Sequence, residues 1–126
     1  MSKENIIEAH TENTTWLNKL SFYKDDLKVF SHRLEEVAIK NTHIEVLAEV
    51  EKFQNQFIIQ NNNIDQIKHI INLEEDKIVE EVNKNPIAVD RRKIDRNAKI
   101  DDLIETFENN FKEIRTNFNK FLSKVM

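Results

Sequence analysis

Between Ile44 and Val82 the apolar residues return at steps of three and four: Val46, Val50, Phe53, Phe57, Ile64, Ile67, Ile71 and Ile78. Gln60 and Glu74 fill the two intervening beats. Such a row falls on one side only of a helix, because 3.6 residues per turn brings the chain back to the same face after three or four. A helix of about 40 residues is roughly 60 Å long. A rod of that length with an apolar seam needs neighbours to cover it, and the flanking segments carry matching seams. The first holds Ile6, Ala9, Asn13, Trp16, Leu20, Tyr23, Leu27, Phe30, Leu34 and Val37, with Asn13 as its one polar beat. The third holds Ile100, Ile104, Phe107, Phe111, Ile114, Phe118, Phe121 and Val125, with polar Lys93 and Asn97 on the earlier beats. Seams of period 3.5 are coiled-coil-like and predict left-handed crossings of roughly 20°.

Capping and turn residues mark the boundaries, giving helices over about 5–40, about 43–84 and about 87–125 within a single domain, 1–126. Ser2 is a candidate cap for the first helix, although Thr11 to Thr15 is rich in residues that prefer turns and leaves fraying to Thr14 as an alternative. Thr42-His43-Ile44-Glu45 has the form of a capping box. Gln60-Asn61-Asn62-Asn63 is poor in helix propensity, yet Phe57, Ile64 and Ile67 stay in phase across it, so the second helix is read as continuous. Asn85-Pro86 ends that helix and opens the next, with Asp90 as a rival start.

Short connections join antiparallel neighbours, so the fold class expected is all-α: an elongated, antiparallel three-helix bundle running up, down, up. Across the second turn, Phe57 pairs with Ile114, Ile64 with Phe107 and Glu74 with Asn97. For the first two helices the tight turn at Thr42 favours Trp16 beside Ile64 and Phe107, and Tyr23 beside Phe57. A rival register would stack Asn13, Glu74 and Asn97 in one polar layer and set Trp16 against Ile71 and Ile100.

Composition supports this architecture and narrows the chemistry. The chain of 126 residues has no Gly, one Pro and 33% charged residues, a poor supply for sheets and nucleotide-binding loops. It has no Cys, which removes disulfides, thiolate metal sites and a thiol nucleophile. Residues 1–5 lack the basic start and apolar core of a signal peptide, and no apolar run approaches a membrane span. A cytoplasmic protein with no membrane partner is therefore expected. The formal charge of −4 disfavours nucleic acid as a partner.

Candidate catalytic and metal sites are few. None of His10, His32, His43 and His69 has Glu three residues before it, so the Glu-x-x-His pairs of di-iron bundles are missing. Asp65 with His69, one turn apart, is the nearest approach to a surface metal site. No serine sits in a strand-turn-helix elbow, and the many paired carboxylates read as solvated helix faces. Glu74 stands apart because it lies on the seam, where a register-setting polar residue is expected. No catalytic residue and no cofactor follow from the sequence.

Two surfaces remain as candidates. Arg91, Arg92, Lys93 and Arg96 form the one basic cluster, a candidate patch for an anion or an acidic partner, though Asp90, Asp95 and Asp101 interleave it. Phe22, Val29, Ile58, Ile59 and Leu73, together with Val79, are apolar residues off the seams, a candidate surface for a protein partner or for self-association. Three similar rods with a single Trp in the first resemble spectrin-type repeats in outline, a likeness of architecture that implies no function. The expected function is that of a non-catalytic scaffold, adaptor or assembly subunit; a metal- or ligand-binding bundle with a redox or sensor role is the alternative.

Overall fold

The computed structural model describes residues 2–126. In chain order the elements are β1 (Ser2–Asn5), α1 (Ile6–Lys40), α2 (Ile44–Lys84), β2 (Lys93–Arg96) and α3 (Lys99–Val125). The three helices form the all-α bundle that the seams dictate. Its core joins Leu20, Leu27 and Leu34 of α1 to Phe53, Phe57 and Ile64 of α2 and to Phe107, Phe111 and Phe118 of α3. Gln60 and Glu74 are buried in α2 as the period requires, and α2 runs unbroken through the Asn-rich stretch.

The expectation of helix alone is incomplete at one end. β1 and β2 pair as an antiparallel ribbon with Glu4 opposite Ile94 and Asn5 opposite Lys93. Two four-residue strands are marginal by themselves, and this ribbon is held by what it touches. Asn5 Oδ1 accepts from the amides of Ile7 (2.8 Å) and Glu8 (3.3 Å), capping α1 where Ser2 was the candidate. Asn5 Nδ2 donates to Asp90 O at 2.8 Å, and the Ile6 amide donates to Arg92 O at 3.0 Å. α1 is helical through its threonines: Thr11, Thr14 and Thr15 each turn their hydroxyl onto the carbonyl one turn back, which satisfies the hydroxyl without breaking the helix.

The start of the third helix is corrected from about 87 to Lys99. Asn85 does end α2, but Asn85 Oδ1 then accepts the Ile87 amide at 3.2 Å, bending the chain after Pro86 into a turn. Ala88 adopts φ 53, a left-handed geometry no helix can contain. Asp90 is no helix start either, because residues 93–96 are taken by the ribbon; Asn97 Oδ1 receives the Lys99 amide at 3.0 Å and opens α3. The capping box at Thr42 is also not formed: His43 occupies the cap of α2 with no side-chain hydrogen bond.

Register between α1 and α2 is corrected by one heptad. Tyr23 lies on Phe107 (5.2 Å between centroids) rather than beside Phe57, which instead meets Phe30 at 5.8 Å. Lys24 bonds Asp65, Lys68 donates to Ser21 at 2.9 Å, and Asn13 reaches Glu75 at 2.9 Å. The rejected register would bury Asn13 among apolar side chains, and an unpaired buried amide costs about 1–3 kcal/mol. Extended backbone at Asn41 and His43 supplies the length that the turn needs.

Candidate functional site

The basic cluster does not form one patch. Arg91 and Lys93 are exposed, but Arg92 is drawn onto the end of α2, where it donates to Glu81 Oε2 (2.9 Å) and to the carbonyls of Asn85, Ile87 and Glu81. Carbonyls at a helix C-terminus lack partners and attract cations, which explains this choice. Arg96 is only 4% exposed. Alternation along β2 turns Ile94 and Arg96 toward the bundle and Lys93 and Asp95 toward solvent.

Arg96 is the centre of a polar layer between two apolar cores. Its Nη1 donates to Glu4 Oε2 at 3.1 Å and to Glu12 Oε2, and its Nη2 donates to Asn13 Oδ1 at 3.1 Å. The Asp101 carboxylate lies 3.9 Å away. Asn13 is fully buried and passes the network on: its Nδ2 donates to Glu75 Oε1, whose Oε2 accepts from His10 Nδ1 at 2.7 Å. β1, α1, α2, β2 and α3 all contribute. Beyond the layer Ile6, Ala9 and Ile78 make a second, smaller core with Val82, Val89 and Ile94. Burial, then a hydrogen bond with Glu4, push the Glu12 carboxyl above the usual range, against the pull of Arg96. One guanidinium thus serves two carboxylates and an amide, and what it does with them is hold five elements in register. Asn97 and Glu74, which the rival register stacked with Asn13 in one polar layer, are replaced there by Arg96 and Glu75; Glu74 has Lys77 at 3.8 Å.

A second cluster sits between α1 and α3. Tyr23 donates to Glu108 Oε2, and Lys19 Nζ lies 2.8 Å from the same oxygen and over the Trp16 ring. Burial and the bond to Glu108 push the Tyr23 phenol up to about 12. Burial alone would raise Glu108, but hydrogen bonds from Lys19 and Tyr23 hold it below the usual value. Asp65, the partner considered for His69, is taken by Lys24. Among the described residues no group of three or more His, Asp or Glu is placed to hold a metal ion, and no helix is long and apolar enough to cross a membrane.

The apolar candidates are all exposed, Phe22 at 71% most of all, but they occupy different flanks. Ile58 lines the α1–α2 groove with Leu34, Val50 and Asn61. Ile59 and Leu73 lie seven residues either side of Gln66, which lines the α2–α3 groove with Ile70, Leu103 and Thr106. Phe22 and Val29 share a stripe of α1 next to Lys19 and Tyr23, toward α3. Sequence reading missed Glu4, Glu12 and Glu75 because they lie off the seams; Asn13, a polar beat that burial obliges to find partners, was the one trace of them. Comparison with protein-family models, curated proteins and solved structures gives no significant match.

Proposed function

We propose that this chain is a non-catalytic, coiled-coil-like bundle that acts through its helix surfaces as a scaffold, adaptor or assembly subunit in the cytoplasm. The supporting observation is the recurrence of large apolar side chains on the outer flanks: Phe22, Val29, Ile58, Ile59 and Leu73 each stand half or more exposed. Scattered apolar residues on a surface are ordinary. Here Phe22 and Val29 lie one heptad apart and Ile59 and Leu73 two, a spacing by which one helix receives another. The polar layer around Arg96 fits the same reading, since its carboxylates and the Asn13 amide are engaged within the layer.

Sedimentation and pull-down on the wild type and on a variant carrying Phe22→Ser, Ile58→Ser, Ile59→Ser and Leu73→Ser test this function. The wild type should associate, with itself or with a protein partner, and the variant should keep its helical signal and lose the association. Equal behaviour of the two proteins, or stoichiometric iron, manganese or zinc in the purified chain, would overturn the reading.

A further inference from the structure

α2 carries on its exposed side a stripe that complements itself. Lys52, Ile59, Gln66, Leu73 and Glu80 follow one another at seven-residue intervals, and all five are exposed. Ile59 and Leu73 are 54% and 51% exposed. Laid against its own reverse about Gln66, the stripe sets Ile59 on Leu73, Gln66 on Gln66 and Lys52 on Glu80. The Ile59–Leu73 and Lys52–Glu80 contacts then each occur twice and Gln66 meets its own copy on the axis, as a two-fold interface requires.

We propose that two copies of this chain pair through this stripe with their α2 helices antiparallel, an inference that rests on the surface-acting function above and names its partner. Charge selects both partner and direction. The antiparallel arrangement brings opposite charges together at both ends, whereas a parallel one sets Lys52 on Lys52 and Glu80 on Glu80. Heptad spacing keeps the two helices in contact from Lys52 to Glu80, roughly 40 Å. The neighbouring stripe of Asn55, Asn62, His69 and Asp76 gives no clash of like charges when reversed: Asn62 faces His69 and Asn55 faces Asp76. Glu80 holds Lys84 at 3.1 Å within its own helix, but both side chains are well exposed and such pairs exchange readily. The opposite flank of α2 is a weaker match. Its stripe of Ile58, Asp65, Asn72 and Val79 ends at Glu51 with no cation to meet it, and Asp65 is already bound to Lys24.

The chain has no cysteine, so a single introduced thiol reports geometry cleanly. Gln66→Cys should give a disulfide-linked dimer under glutathione disulfide, and Asp25→Cys, on the outer face of α1, should not. In sedimentation equilibrium of the full chain, Lys52→Glu or Glu80→Lys alone should raise the dimer dissociation constant on the order of tenfold, and the two together should restore it. Ile59→Ser with Leu73→Ser should yield a monomer with unchanged helical circular dichroism. A wild type that stays monomeric at its highest soluble concentration overturns the proposal. So does a dimer that the double charge reversal fails to restore and that Gln66→Cys links no faster than Asp25→Cys. That second result leaves the surface-acting function standing on another face, while failure of the function itself is read separately from its pull-down and metal analysis.

Discussion

Arg96 organises one end of the molecule by itself. Burying a guanidinium costs several kcal/mol unless acceptors satisfy it; Glu4, Glu12 and Asn13 take both Nη atoms from two different elements, while the buried Nε has no partner. Arg96→Met should lower stability in urea unfolding by about 3 kcal/mol, mostly through the stranded Asn13 oxygen and the partly buried Glu4 carboxylate. Arg96→Lys should recover less than half, because an ammonium cannot span acceptors that the planar fork reaches together. Tyr23, the one tyrosine, gives a second residue-level prediction. Its folded pKa is raised to about 12 from 10.0, so its contribution to stability is complete below pH 10 and fades as pH rises through about 12. Tyrosinate absorbance of the folded protein should therefore titrate near 12, and of the urea-unfolded protein near 10. Tyr23→Phe should cost about 1 kcal/mol at neutral pH and remove this alkaline dependence. Beyond the polar beat at Asn13, neither cluster was legible along the chain. Arg96 looks like one of four cations on a solvated face, and only the two-residue alternation of a strand, set by pairing with a segment some ninety positions away, turns it inward.

At the scale of elements, the helices follow from period and caps, and the departures come from long-range pairing. α2 keeps its phase across Gln60 to Asn63 because one continuous seam outweighs poor local propensity. The third helix starts late because residues 93–96 gain a partner strand, which no local signal at Asn85-Pro86 announces. The turn that makes room for the ribbon places a left-handed Ala88 in a chain with no glycine. That geometry crowds the Cβ against its own carbonyl. Ala88→Gly should raise the unfolding free energy by roughly 0.5–1 kcal/mol with an unchanged denaturant slope. A lower stability would show that the turn is held by more than its φ angle.

For the whole molecule, the packed aromatic rings concentrate stability toward the α1–α2 turn. Phe118 is fully buried and packs against Phe30, Phe53 and Phe57, drawing on all three helices. Phe118→Ala should cost about 3–5 kcal/mol by calorimetry or denaturant unfolding. Amides around Phe57 and Phe111 should exchange slowest with solvent, and those of the ribbon fastest among paired backbone groups. The sequence by itself determined that there are three helices, which side of each is buried and where α2 begins and ends. Periodicity and turn chemistry are local, and a buried stripe must be apolar whatever covers it. Only the tertiary structure decided the register of α1 on α2, the ribbon that delays α3 and the inward turn of Arg96. Seams of one repeat can slide by a heptad and stay apolar against apolar, so the choice falls to the few buried polar groups, whose partners come from distant parts of the chain.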